Sequence, residues 1–159
     1  MGQFKSVLYA LIPLYGAGYR LRAYLRLREF LRKRNLHFLG QCLKSLIQYK
    51  YGMEISISAE ISPKAEFMHT VGTVIGEGVV VSEGVVLYSR ITLGRKDINN
   101  KDDYPIIEPN VILCTGCTIL GKIRVCEGSV IGAHTLVIKD INKRGIYCGV
   151  PAVFLKNIE

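Results

Sequence analysis

The chain has 159 residues, 49% of them hydrophobic, and this composition predicts a packed domain and excludes a disordered chain. The net charge of +8 is concentrated in the N-terminal third. Residues 1–50 contain ten Lys or Arg and one acid, Glu29, whereas residues 51–159 are close to neutral. Five cysteines without a regular spacing are typical of a reducing compartment, so we expect a cytoplasmic protein.

The N-terminal part, residues 1–51, is predicted to be a basic helical segment. Its longest uncharged run, residues 6–19, is too short for a membrane-spanning helix, which needs about 20 apolar residues. From residue 20 to 49, apolar residues recur at steps of three and four, with interruptions expected at Asn35 and Gly40. The segment either caps the following domain or makes a peripheral contact with an anionic membrane through residues 1–50. No aromatic platform or nucleic-acid-binding fold is evident, so nucleic acid is not an expected partner.

The helical pattern ends near Gly52, and a six-residue period follows it. Each hexad has an aliphatic residue at its first position and a small or β-branched residue at its fifth. This period is typical of a parallel β-helix in which three hexads close one coil, whereas a β-sandwich would show turns every 8–12 residues. We therefore predict a mainly β protein with a β-helix over residues 52–148 and a tail at 149–159. The hexads begin at Ile55, Ile61, Ile75, Val81, Leu87, Ile107, Leu113, Ile119, Val125, Ile131 and Val137.

Two breaks interrupt the period. The register gains two residues between Ile61 and Ile75, and it gains eight between Leu93 and Ile107. The longer gain must leave the coil, so a loop excursion is predicted at residues 95–105. Loops on a rigid scaffold often carry functional residues.

His69 lies in the first break and is the leading candidate for a general base, because imidazole can accept a proton from a hydroxyl group near neutral pH. A structural turn histidine is the alternative. Glu54 precedes it by fifteen residues, and one coil has eighteen, so the two are expected on adjacent coils. A carboxylate there could orient the imidazole, although Glu54 could equally be a surface acid.

Several segments together resemble the serine acetyltransferase family over residues 52–155. The resemblance implies a left-handed parallel β-helix and an acetyl-CoA-dependent O-acetyltransferase. It also implies a homotrimer, or a dimer of trimers, with active sites between subunits. His69 matches the family's catalytic base and Glu54 the carboxylate that orients it. The matching segments are residues 52–61, 67–77, 91–94, 105–107, 119–121 and 149–152.

The chain departs from the serine-specific pattern at the predicted acceptor-binding residues, Met68, Asp103 and Tyr104. The family's loop ends in Asp-Arg-His-Pro, whereas here Asp103 and Tyr104 stand in the Arg and His positions. Met68 replaces an Asp. Since Asp103 would repel a carboxylate, an amino-acid acceptor is disfavoured. The chain more nearly resembles the branch of short O-acetyltransferases of capsule, exopolysaccharide and lipopolysaccharide synthesis. That resemblance implies a saccharide acceptor, namely a sugar hydroxyl in surface polysaccharide biosynthesis, handled in the cytoplasm or at the inner face of the membrane. Serine O-acetylation and a non-catalytic trimeric scaffold are the alternatives.

For acetyl-CoA, position in the repeat places Arg95, Thr115 and Ala133 on the groove that the family uses. Lys139, Lys143 and Arg144 are candidates for the coenzyme phosphates, and each could also be a solvated surface charge. Direct transfer is expected, with backbone amides and Tyr104 stabilising the oxyanion. No metal is expected, because Cys114 and Cys117 form only one CxxC pair and Cys117 is predicted to face the core.

Overall fold

The computed structural model describes residues 17–158, and within them the chain forms two helices followed by fifteen short strands. Residues 1–16, which include the start of the predicted helical segment, lie outside the described residues. Neither helix is long and apolar enough to cross a membrane. The elements are α1 (Ala17–Lys33), α2 (His37–Tyr51), β1 (Glu54–Ile55), β2 (Glu60–Ile61), β3 (Glu66–Phe67), β4 (Val74–Ile75), β5 (Val80–Val81), β6 (Val86–Leu87), β7 (Thr92–Gly94), β8 (Ile106–Ile107), β9 (Ile112–Leu113), β10 (Thr118–Leu120), β11 (Arg124–Val125), β12 (Val130–Ile131), β13 (Leu136–Val137), β14 (Ile146–Cys148) and β15 (Val153–Lys156).

The strands form the three faces of a triangular prism. Strands β1, β4, β7, β10 and β13 make the first sheet, β2, β5, β8 and β11 the second, and β3, β6, β9, β12 and β14 the third. Neighbours within each face are parallel, and β15 is added antiparallel to β14. The predicted fold class, a left-handed parallel β-helix with an N-terminal helical segment, is confirmed.

The interior of the prism is filled by the first and fifth positions of the hexads. Ile75, Leu87 and Ile119 are examples of first positions, and Val79 and Cys117 of fifth positions, and all are fully buried. Burial raises the pKa of the Cys117 thiol to about 12, so this side chain packs as a small apolar residue. Because each coil buries six such positions, the core is a continuous ladder along the axis.

Coil length varies where the period breaks. Glu54 pairs with Val74, twenty residues later, and in the last regular stretch Ile112 pairs with Val130, eighteen residues later. The final coil is shorter, because Val130 pairs with Ile146. After it, part of the predicted tail folds back as β15.

The helices cover the N-terminal end of the prism. Asn35 ends the first helix in a left-handed conformation, with φ of 53°, as expected for an interruption. The interruption predicted at Gly40 is wrong, because Gly40 lies within α2. It lies inside the helix, where a Cβ atom would be 3.4 Å from Ile57 Cδ1, so α2 lies close to the first coil at this position.

Arg28 joins α1 to the first coil. Its buried guanidinium donates through Nη2 to the carbonyl oxygens of Ser56 at 2.7 Å and Ile57 at 3.2 Å, and also to that of Ala59. Burial lowers the pKa of Arg28 from 12.5 to about 10, so the group stays charged at neutral pH. One side chain therefore satisfies three carbonyl groups of a turn that has no coil before it.

We predict that Arg28→Met lowers the free energy of unfolding by about 2–4 kcal/mol, because buried carbonyl groups lose their charged donor. Denaturant titration followed by circular dichroism, at fixed protein concentration, measures the change. Arg26→Met is the matched control, since Arg26 is exposed on the same helix and should shift stability by no more than about 0.5 kcal/mol. Equal stability of the two variants would contradict the role assigned to Arg28.

Candidate active site

The turns between sheets stack into three edges of the prism, and the predicted site residues are divided among them. The histidine edge joins the third sheet to the first and comprises residues 68–73, 88–91, 114–117 and 132–135. The loop edge joins the first sheet to the second and comprises residues 56–59, 76–79, 95–105, 121–123 and 138–140. The remaining edge joins the second sheet to the third and comprises residues 62–65, 82–85, 108–111, 126–129 and 142–145.

His69 is exposed in the turn between β3 and β4. The Tyr88 ring lies beside it, with 6.4 Å between ring centroids. Met68 and Val71, on either side in sequence, also expose most of their apolar side chains. An imidazole surrounded by exposed apolar groups is typical of a surface that a ligand or another subunit covers.

The carboxyl end of α2 holds the turn that carries His69. Gly52 closes the helix with φ of 62°, and its carbonyl oxygen accepts a hydrogen bond of 2.7 Å from the backbone N–H of Gly72. The hydroxyl of Thr70 donates to the carbonyl oxygen of Tyr51 at 2.8 Å. The carboxyl end of α2 therefore fixes the backbone on both sides of the turn that carries His69.

Glu54 is offset from the position that an eighteen-residue coil would give it. It begins β1 opposite Val74, because the first coil carries two extra residues. Its carboxylate accepts a hydrogen bond from Lys44 Nζ of α2 at 2.8 Å. Glu54 is thus fixed by the helical cap, and its expected contact with His69 stays a prediction.

Small side chains continue from His69 along the histidine edge. Ser89, Thr115 and Ala133 occupy successive coils in register: Gly116 N–H donates to Ser89 O at 2.9 Å, and His134 N–H donates to Thr115 O at 3.0 Å. The Ser89 and Thr115 hydroxyl oxygens are 3.5 Å apart. The structure therefore brings Thr115 and Ala133 onto the same edge as His69, and their predicted contact with the coenzyme stays a prediction.

Sequence reasoning missed Ser89 and Tyr88, and the repeat itself contained the signal that could have found them. Ser89, Thr115 and Ala133 are each the third residue of a hexad, and His69 is third in the six residues that begin at Phe67. Tyr88 takes the second position, beside Ser89. A common position in hexads of the same face places residues on a common edge.

Asp103 lies on the loop edge and stabilises the loop. Its Oδ2 accepts hydrogen bonds from the backbone N–H groups of Lys96 and Asp97, each at 2.8 Å, and its Oδ1 accepts one from Lys122 at 2.6 Å. The bonds from Asp97 and Lys122 hold the pKa of Asp103 below its usual value. Because three N–H groups compensate this charge, Asp103 is a weaker obstacle to an anionic acceptor than its sequence position implied.

Tyr104 and Arg95 belong to the same loop. The Tyr104 ring, only 8% exposed, packs against Gly76 and Gly78, where a Cβ atom would collide with it. The Arg95 guanidinium lies over this ring at 5.6 Å from its centroid, and Arg95 also donates to the Ile98 carbonyl oxygen. Tyr104 thus anchors the excursion to the coil, and the predicted ligand contacts of Tyr104 and Arg95 stay predictions.

The candidate phosphate-binding residues are separated from His69 within one chain. Lys139 is exposed on the loop edge, whereas Lys143 and Arg144 lie on the remaining edge. Lys143 Nζ sits 4.5 Å from the centroid of the Phe154 ring. Arg144 lines a cleft of about 360 Å³ together with Asn110, Glu127 and Gly128. These residues, and the loop carrying Asp103, could meet a histidine edge only if that edge belonged to another chain.

Within residues 17–158, no group of three or more His, Cys, Asp or Glu side chains is arranged to hold a metal ion. Cys117 is in the core, and Cys114 is partly exposed on the histidine edge.

Curated relatives of the chain are serine acetyltransferases. A *Schizosaccharomyces pombe* protein described as a putative serine acetyltransferase is 37% identical over 102 residues, which are 64% of this chain and 38% of the relative. The *Bacillus subtilis* serine acetyltransferase is 31% identical over 126 residues, 79% of this chain and 58% of its own length. The chain thus spans about two fifths to three fifths of these relatives. No family profile matches it.

Solved structures agree with these relatives. *Vibrio cholerae* serine acetyltransferase superposes with a TM-score of 0.85 at 29% identity, covering 92% of this chain and 57% of that one. The Brucella abortus enzyme in complex with coenzyme A superposes with a TM-score of 0.84 at 26% identity, covering 99% of this chain and 66% of that one. Soybean serine acetyltransferase in complex with serine superposes with a TM-score of 0.79 at 28% identity, covering 86% of this chain and 56% of that one.

These comparisons contradict the expected saccharide acceptor and the assignment to surface polysaccharide biosynthesis. That expectation depended on Asp103 acting as a free negative charge, and its carboxylate is instead bonded to three backbone N–H groups. The repeat, the fold and the relatives agree on one assignment. The chain belongs to the hexapeptide-repeat acyltransferase family, in its serine acetyltransferase type.

Proposed function

We propose that the protein transfers the acetyl group of acetyl-CoA to the hydroxyl of L-serine. The observation that carries this proposal is the similarity to serine acetyltransferases, which extends over 86% or more of this chain in the structures with serine and with coenzyme A. The exposed His69, with a column of small side chains beside it, supports the same chemistry. The reaction needs acetyl-CoA as co-substrate, and we infer that it takes place in the cytoplasm.

A homotrimer, or a dimer of trimers, is the assembly that this proposal requires. His69 and Met68 are on the histidine edge, whereas Asp103 and Tyr104 are on the loop edge of the same chain. Three prisms around a threefold axis would set the histidine edge of one protomer against another edge of its neighbour. The exposed side chains of Met68 and Val71 would then be covered, and each site would be built from two chains.

In the proposed mechanism, His69 accepts the proton of the serine hydroxyl as its oxygen attacks the thioester carbonyl carbon. The tetrahedral intermediate then collapses, the carbon–sulfur bond breaks, and the imidazolium returns the proton to the departing thiolate of CoA. The products are O-acetylserine and CoA. In this proposal Glu54 stabilises the imidazolium, and backbone N–H groups of the groove stabilise the oxyanion.

We predict that L-serine supports acetyl-CoA-dependent release of free thiol and that a panel of monosaccharides does not. A chromogenic thiol reagent measures the rate for each acceptor at equal concentration. Absence of turnover with serine, in a preparation whose folded state is verified by circular dichroism, would overturn the proposed acceptor.

We predict that His69→Ala lowers kcat by about 10²–10⁴-fold with L-serine, because no other group at this turn can take the hydroxyl proton. The matched control is His37→Ala, which removes an exposed histidine at the start of α2 and should keep full activity. Thiol release measures both. Unchanged turnover in the His69 variant would exclude this base. Absence of turnover in the wild type would instead favour a non-catalytic scaffold.

We predict that Asp103→Asn loosens the loop, because a neutral amide oxygen is a weaker acceptor for the three backbone N–H groups. The folded-state pKa of Asp103 is lowered, so its stabilising effect is present above the usual carboxyl pKa and is lost as the pH falls through the folded value. The difference in Tm from wild type should therefore be present at neutral pH and shrink in acid. A KM for L-serine that falls at least about tenfold would instead place the Asp103 charge against the substrate.

A further inference from the structure

Helix α2 is apolar on two opposite faces. Gly40, Leu43, Ile47 and Tyr51 are buried and form the inner face that packs on the first coil. At 3.6 residues per turn, a second set of positions falls on the opposite side of the helix. This outer face consists of Phe38, Leu39, Cys42, Leu46 and Tyr49, and all five are exposed.

The exposure of the outer face is large for side chains of this type. Phe38 is 79% exposed and Tyr49 is 95% exposed. A helix that is apolar on both sides is normally covered on both sides, and contiguous apolar surface of this kind marks an interaction site. The inner face is already occupied by the β-helix, so the outer face is available for a partner.

Basic side chains lie near both ends of α2, on its border with α1 and beside the outer face. Arg34 is exposed in the connection just before α2, and Lys50 is exposed in its last turn. Arg34 packs over the Phe30 ring and Lys50 over the Tyr24 ring, and within residues 17–158 neither forms an ion pair with a carboxylate. The partner is therefore apolar at its centre and negatively charged around it.

We propose that the outer face of α2 docks the protein on an anionic lipid bilayer. An amphipathic helix with Phe and Leu on one side and basic residues beside them lies in the interface of such a bilayer, and Tyr is enriched at that depth. A second copy of the face is a poorer partner, because a twofold contact would bring Arg34 and Lys50 against the same cations. Residues 1–16 contain no acid, so they could not neutralise these cations either.

The position of α2 in the fold favours this docking. Both helices pack at one end of the prism, α2 on β1 and α1 on β2. If the proposed trimer forms, three outer faces lie at the same end of the assembly, and each raises the effective concentration of the others at the surface. The docking itself requires only one chain and no catalytic residue.

The test is co-sedimentation of the full-length protein with phosphatidylcholine vesicles that contain or lack phosphatidylglycerol. We expect binding to the anionic vesicles at low salt and weaker binding at high salt, where surface charges are screened. Replacing Phe38 and Tyr49 together by Ser should reduce the partition coefficient at least about tenfold. Replacing Arg34 and Lys50 by Gln should reduce it roughly fivefold per charge on anionic vesicles only.

Ile98→Ser is the matched control. Ile98 is 80% exposed, almost the same as Phe38, but it belongs to the loop edge. The Ile98→Ser variant should therefore bind vesicles as the wild type does. No binding of wild type to anionic vesicles at low salt, or equal binding of the Phe38/Tyr49 and Ile98 variants, would overturn the proposal. A second outcome would also overturn it: the wild type does not bind vesicles, and the Phe38/Tyr49 variant has a lower molar mass by light scattering. That result would assign the outer face to a contact between copies of the chain.

Thiol release with L-serine, measured without vesicles in the same preparations, separates this proposal from the proposed function. We expect the Phe38/Tyr49 variant to keep wild-type turnover while losing vesicle binding. Turnover that is absent in every preparation, with vesicle binding intact, would leave the docking standing and remove the proposed function.

Discussion

The structure depends on one constraint: every hexad must bury its first and fifth side chains inside the prism. This requirement fixes the direction of every other side chain, because the positions between buried ones can only face outward. A residue's place in its hexad, together with the face to which that hexad belongs, therefore decides its edge. The column Ser89, Thr115 and Ala133 exists because three coils repeat one position on the histidine edge. A continuous column of small side chains follows from repetition and needs no dedicated sequence motif.

The helices supply contacts at the start of the β-helix, where the repeat has no preceding coil. A first coil has no preceding coil to supply partners for its backbone, and Arg28 supplies them for the turn at Ser56–Ala59. The end of α2 does the same for the turn beyond His69, and Lys44 bonds to Glu54. The candidate base and carboxylate thus lie at the boundary between two kinds of structure. Changes in the cap should alter the site more than changes in the distant coils.

The sequence predicted the features that follow from periodicity and missed those that follow from individual contacts. Six-residue spacing was sufficient for the fold, the core and the buried position of Cys117. Gly40 was misread as a helix interruption, because its value lies in the approach to Ile57, a contact between distant segments. Asp103 was read as a free charge, since the three N–H groups that bind it become neighbours only when the loop folds. The offset of Glu54 has a similar origin, because the two extra residues enter the same coil.

The antiparallel strand β15 has a consequence for assembly in the direction of the axis. A parallel β-helix ends in rows of N–H and C=O groups on which another chain could continue stacking, as in a growing fibre. Here β15 pairs with β14 and covers the last strand of the third sheet, and the Tyr147 and Phe154 rings meet edge to face across this pair. The helices block the opposite end. Addition of another chain at the covered strand is thereby blocked, and the three sides of the prism remain as surfaces for side-by-side association of copies.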